Sequence, residues 1–162
     1  MDLRMLSGAT AGAAAGAAGC AALDVTTYLD MAVRGRPASD VPAETAAAVL
    51  KHLPVDVPGQ NSQRKNRLNG LGGLAGGLTG IAVGAAVGVL HGLGWRPPLP
   101  AGAALAALGA MAVSDGSLAV LRVSDPRTWS TTDWLSDLIP HLVYGTVTYA
   151  TLTALERSGP NR

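Results

Sequence analysis

At 162 residues the chain has the length of a single domain. Alanine (29) and glycine (21) fill 50 positions, phenylalanine is absent and charged residues are only 14%, which excludes an ordinary soluble domain. Twelve basic residues against eleven acidic ones leave no global field for nucleic acid. The single cysteine, Cys20, excludes a disulfide framework and a cysteine-based zinc site. What remains is a small, all-α integral membrane protein. Two lysines against ten arginines, with Ala, Gly, Val and Leu as the apolar alphabet, point to a GC-rich bacterial genome.

A helix needs about 20 apolar residues to cross the hydrocarbon, and the charges mark where such stretches lie. No charge interrupts Met5 to Leu23, Leu68 to Trp95, or Pro97 to Ser114. Leu138 to Leu155 contains one ionisable residue, His141. The expected fold is therefore a single membrane domain of four spans, about 5–29, 68–93, 99–121 and 138–155. A long loop, about 30–67, joins the first two. Within that loop Asp40-Val-Pro42-Ala-Glu44 reads as a helix start, with Pro42 in the first turn and Glu44 near the positive helix end. The helix is expected to run to about Leu53 as a short amphipathic element, followed by an extended connector from Pro54 to Gln63. Gly94 to Pro98 is a tight turn. Val123 to Ser136 carries Trp129 and Trp134, interfacial anchors in the segment before the last span. That span is expected to start with Asp137 as cap and Pro140 in the first turn, where a missing N–H costs nothing.

Lysine and arginine set the orientation. The two loops 30–67 and 121–137 hold Arg34, Arg36, Lys51, Arg64, Lys65, Arg67, Arg122 and Arg127. The opposite side holds Arg4, Arg96, Arg157 and Arg162. The bias places the long loop in the cytoplasm and both termini outside, in a multi-pass protein of the bacterial cytoplasmic membrane. Ala17-Ala18-Gly19-Cys20 is similar to a lipoprotein cleavage box, but Ala stands where Leu is usual and apolar residues continue past Cys20. A small side chain at a helix interface is the preferred reading of that cysteine.

Glycine spacing is the clearest pattern. Gly8, Gly12 and Gly16 repeat every four residues, and so do Gly72, Gly76, Gly80, Gly84, Gly88 and Gly92. In lipid, where hydrophobicity drives little association, such rows let backbones approach closely. Whether the row receives a helix of the same chain, a second copy or another membrane protein stays open from the sequence.

Four spans would bring several polar residues to one face of the membrane. Asp24 and Tyr28 come from the first, Arg67 from the second, Asp115 and Arg122 from the third, and Asp137 and His141 from the fourth. Carboxylates at the depth of Asp24 and Asp115 require partners. The group reads either as a proton, ion or ligand site or as a structural hydrogen-bond network. No metal site and no cofactor is read from it.

Two resemblances add to this. Asp115-Gly116, Ala119 and Asp133-x-x-x-Asp137 resemble the signature of the CDP-alcohol phosphotransferases, membrane enzymes that use clustered carboxylates to hold metal ions. The family's leading Asp would fall at Ala112, its Arg at Val120 and its middle Gly at Trp129, so the match covers some of the motif only. Over Asp24 to Asp30, Arg34 to Pro37 and Ser124 to Gly145, the chain is similar to small four-helix membrane proteins of GC-rich, actinobacterial type. That family has no assigned activity, so this resemblance implies architecture alone.

Three functional classes follow. The first is a structural or accessory subunit that packs through its glycine faces in a membrane complex or homo-oligomer, with the lipid bilayer as its other partner. The second is a small transporter, channel or proton-handling protein using the Asp/His cluster near the cytoplasmic face. The third is a lipid-modifying enzyme. Non-enzymatic function is the preferred expectation.

Overall fold

The computed structural model describes residues 3–158; Arg162, counted in the charge bias, lies outside them. Helix α1 spans Leu3–Arg34, α2 Val41–Leu50, α3 Asn61–Gly92, α4 Leu99–Val120 and α5 Thr131–Arg157, with a 3-10 turn at Pro126–Thr128. No strand occurs among the described residues. Among the described residues three helices, α1, α3 and α4, are long and apolar enough to cross a membrane. Helix α5, at 27 residues, would be about 40 Å long, which is length enough, but its sequence is more polar.

The four long helices form a ring. Helix α1 lies along α3 and α5, α5 also packs on α4, and α4 closes loosely on α3, while α1 and α4 have no extended contact. The core between them is built from small residues and two tyrosines: Ala15, Ala106, Tyr144, Tyr149 and Leu152 are fully or almost fully buried.

The closest seam is between α1 and α3, and the glycine rows make it. A Cβ on Gly16 would stand 2.6 Å from the Gly80 carbonyl oxygen, and one on Gly84 2.6 Å from the Gly16 Cα. Gly8 and Gly12 meet Gly88 and Gly84 in the same way, and Gly92 meets the backbone at Arg4 and Met5. The two rows therefore run antiparallel, and the helix they receive belongs to the same chain. The rest of the row differs. Gly72 packs on Pro42 of α2, and Gly76 has open space where a Cβ would be. On α1 the four-residue row continues as Cys20, Asp24 and Tyr28. These larger side chains hold the backbones apart: Cys20 Sγ donates to the Gly77 carbonyl at 3.7 Å, and Gly73 and Gly77 of α3 have open space where a Cβ would be.

Helix α2 begins with Pro in its first turn, as its sequence requires, but ends at Leu50 and not Leu53. It covers the start of α3 through a small second core of Ala43, Val57 and Leu68. Lys65 pairs with Asp40 at 3.0 Å. The connector, 51–60, is as long as the expected 54–63 stretch but lies three residues earlier, because α2 ends at Leu50 and α3 begins at Asn61. Its first turns are polar and extend beyond the apolar stretch.

The start of α5 corrects the expectation. The helix begins at Thr131, not near Leu138, because Ser130 and Asp133 form a capping box: the Asp133 amide donates to Ser130 Oγ (3.2 Å) and the Ser130 amide to Asp133 Oδ2 (3.0 Å). Donation by the Ser130 hydroxyl and amide holds the Asp133 carboxyl below the usual carboxylate range. Two orphan donors are satisfied there, so the helix needs no cap from Asp137. Pro140 consequently lies inside α5, buried, and it removes the N–H that the Ser136 carbonyl would otherwise accept. Trp129 and Trp134 pack together with ring centroids 5.1 Å apart, and Trp129 Nε1 donates to Ser124 Oγ at 2.9 Å. This fixes the segment ahead of α5.

Candidate functional site

Helix α5 carries ionisable residues at both ends, and each end meets a different neighbour. At its beginning, Asp137 and His141 are one turn apart. His141 Nδ1 lies 2.8 Å from the Asp137 carbonyl oxygen and 3.3 Å from Asp137 Oδ1. The other carboxylate oxygen, Asp137 Oδ2, is buried with no hydrogen-bond partner among the described residues. Across the helix pair, Asp115 near the end of α4 is half-buried and accepts from Ser114 Oγ at 3.1 Å. It lies within electrostatic range of both Asp137 and His141. Two carboxylates and one imidazole from two adjacent helices thus share one region.

Among the described residues, no hydrogen bond or ion pair joins Asp24, Tyr28, Arg67 or Arg122 to this group. Asp24 is exposed on α1, a helix that has no extended contact with α4. Tyr28 is 63% exposed. Arg67 is exposed and donates to the Pro58 carbonyl. Arg122 ends α4 with a φ of 55° and is exposed. Asp30, nearby on α1, is paired with Arg34 at 2.9 Å and with Arg36.

Midway along α5, Tyr144 is completely buried and donates to the Gly80 carbonyl oxygen at 2.6 Å. The absence of a side chain at Gly80 is what leaves that carbonyl within reach. Thr148, also fully buried, lies one turn further on against Gly19.

At the other end of α5 the structure assembles a second group. His91, at the end of α3, is 2% exposed. Its Nε2 is 2.8 Å from Tyr149 Oη and its Nδ1 is 3.1 Å from Glu156 Oε2. Tyr149 Oη also lies 2.6 Å from the Pro97 carbonyl oxygen. Arg96 approaches Glu156 at 3.6 Å. A groove of about 850 Å³, open to the surroundings, is lined here by Arg4, Ser7, His91, Arg96 and Glu156. Arg4 and Arg96 enter the charge bias read from the sequence, but Tyr149 and Glu156 do not. The signal was present: both lie on α5 seven residues apart, near the end that antiparallel topology places beside the end of α3.

Among the described residues no group of three His, Cys, Asp or Glu is arranged to hold a metal ion. Asp133, which the phosphotransferase resemblance would make a ligand, is exposed and engaged in the capping box. No protein-family model, no curated protein and no solved structure matches this chain.

Proposed function

We propose that the chain is a four-span protein of the bacterial cytoplasmic membrane, with α5 as its fourth span, and that it handles protons through Asp115, Asp137 and His141. The observation that carries this reading is the buried Asp137 Oδ2, which has no donor although Oδ1 faces His141. A buried, unpartnered carboxylate oxygen is costly, and a proton lowers that cost by neutralising the charge. Asp115, across the interface, offers a second carboxyl to which such a proton can pass. Four spans with the long loop inside put this group near the cytoplasmic headgroups.

The test is proton flux in liposomes reconstituted with the full chain and loaded with a pH-sensitive dye. The wild type is expected to dissipate an imposed pH gradient faster than empty liposomes. Asp137→Asn and Asp115→Asn keep shape and assembly, and each is expected to slow that dissipation at least ~10-fold, about 1.4 kcal/mol in the barrier. Flux equal to that of empty liposomes, or Asn variants as active as wild type, would remove the proposal.

The accessory-subunit reading retains one specific observation. A Cβ on Gly70, Gly73, Gly76 or Gly77 of α3 would meet no described atom within 4 Å, and Leu74 and Leu78 beside them are exposed. A small-residue face of this kind can admit another transmembrane helix. A stoichiometric partner that co-purifies in mild detergent, and is lost when Gly73 is replaced by Leu, would favour that reading.

A further inference from the structure

The group at the far end of α5 has a hydrogen-bond count that does not close with neutral histidine and ionised glutamate. Three contacts are made in series: Pro97 carbonyl to Tyr149 Oη (2.6 Å), Tyr149 Oη to His91 Nε2 (2.8 Å) and His91 Nδ1 to Glu156 Oε2 (3.1 Å). Each contact needs one proton between its heavy atoms. Tyrosine brings one, neutral imidazole brings one, and neither the carbonyl nor a carboxylate brings any. If Tyr149 donates to Pro97 and His91 Nε2–H donates to Tyr149, the Nδ1 lone pair faces the Glu156 carboxylate. If His91 instead donates from Nδ1 to Glu156, and Tyr149 donates to Nε2, the Pro97 carbonyl and Tyr149 Oη face each other with lone pairs only. One proton is missing in either tautomer, at a ring that is only 2% exposed.

We infer that His91 and Glu156 form a proton-binding site, holding one proton between Nδ1 and the carboxylate in the arrangement described. The bound species is an imidazolium–carboxylate pair or its neutral equivalent, and the two share the same proton count. Charged and titratable groups face the site from every side: Arg96 from the α3–α4 turn, Arg4 from α1, and Glu156 and the Tyr149 hydroxyl from α5. The groove lined by Arg4, His91, Arg96 and Glu156 is the route by which the proton reaches the ring. Losing the proton leaves one of the three contacts repulsive. Deprotonation therefore loosens α5 from the end of α3 and from the turn that holds Pro97. The inference stands on the geometry of this end alone and does not require protons to cross the bundle.

The experiment is nitrogen NMR of histidine-labelled full chain in detergent, with His91 assigned through His91→Gln, combined with the carboxyl stretch in the infrared. Between pH 5 and 8 the wild type is expected to show one bound proton at the low end, seen either as a doubly protonated His91 ring or as a protonated Glu156. Its release on raising the pH should coincide with faster amide exchange at the end of α5. In Glu156→Gln the amide N–H donates to Nδ1 and supplies the missing proton, so His91 should remain the neutral Nε2–H tautomer with no transition. In Tyr149→Phe two of the three contacts vanish, and neutral His91 donating from Nδ1 to Glu156 satisfies what is left. That variant should also lack the extra proton. Wild-type His91 neutral beside ionised Glu156 throughout the range, with its contacts retained, would overturn the inference. So would a Glu156→Gln variant that titrates like wild type. If liposome flux is absent but His91 and Glu156 bind the proton, the site stands and the proposed transport role falls.

Discussion

Gly84→Leu should abolish the folded bundle. A Cβ at position 84 already stands 2.6 Å from the Gly16 Cα and closer still to the Gly12 carbonyl oxygen. Both are backbone atoms of a helix that is itself held by its neighbours, so no side-chain rotation relieves the overlap. Gly84→Ala is expected to cost about 3 kcal/mol, the upper end of the range for overpacking. Leucine forces α1 and α3 apart along the whole seam. The matched control lies in the same four-residue row. Gly76 has no neighbour within 4 Å of a Cβ, so Gly76→Ala should change stability by less than about 1 kcal/mol, in the stabilising direction, through helix propensity. Denaturation in mixed detergent, followed by circular dichroism, distinguishes the two. Equal effects at 76 and 84 would mean that the seam is not made by this row.

The second large effect is expected at the α4–α5 seam. A Cβ on Gly145 would meet the Ala103 carbonyl oxygen, and the Ala107 amide nitrogen at 2.7 Å. Gly145 is buried against Ala103 and Ala107 of α4. Gly145→Val should therefore separate α5 from α4 and carry Asp137 and His141 away from Asp115. Overpacking alone is worth about 1–3 kcal/mol. The functional loss should be larger than the stability loss suggests, because the polar group at the start of α5 depends on the register of this seam. Gly116→Ala, on α4 with no neighbour near its Cβ, should leave both fold and flux intact. A Gly145→Val protein that denatures like wild type would contradict the close approach described for these two helices.

Much of this arrangement is legible in the sequence, for identifiable reasons. The period-four glycine rows announce close backbone packing, since glycine at such density would ruin a helix held by propensity alone. What the rows pack against is not readable, because the same surface suits an intramolecular and an intermolecular helix equally. Complementary spacing on α1 and α3 resolves it only once the two helices are placed. The start of α5 is misjudged because two signals compete. Pro140 is most comfortable in a first turn, and that preference points to Asp137 as cap. Ser130-x-x-Asp133 is also a capping box, and satisfying two donors outweighs the loss of one interior hydrogen bond at Pro140, where neighbouring helices provide the packing. Charge position likewise groups Asp24 with Asp115. The ring order separates them, because α1 and α4 are not neighbours. The pairing of His91 with Tyr149 and Glu156 follows from topology and not from any local motif.

The account stands on α5 crossing the membrane, which puts its two ionisable groups on opposite sides. In a Cys20→Ser background, single cysteines at Gln60, Pro98, Ser130 and Ser158 can be probed with a membrane-impermeant thiol reagent in intact and opened cells. Pro98 and Ser158 are expected to label in intact cells, and Gln60 and Ser130 only after the membrane is opened. Labelling of Ser130 and Ser158 from the same side would contradict the account, since α5 would then lie on the bundle without spanning it.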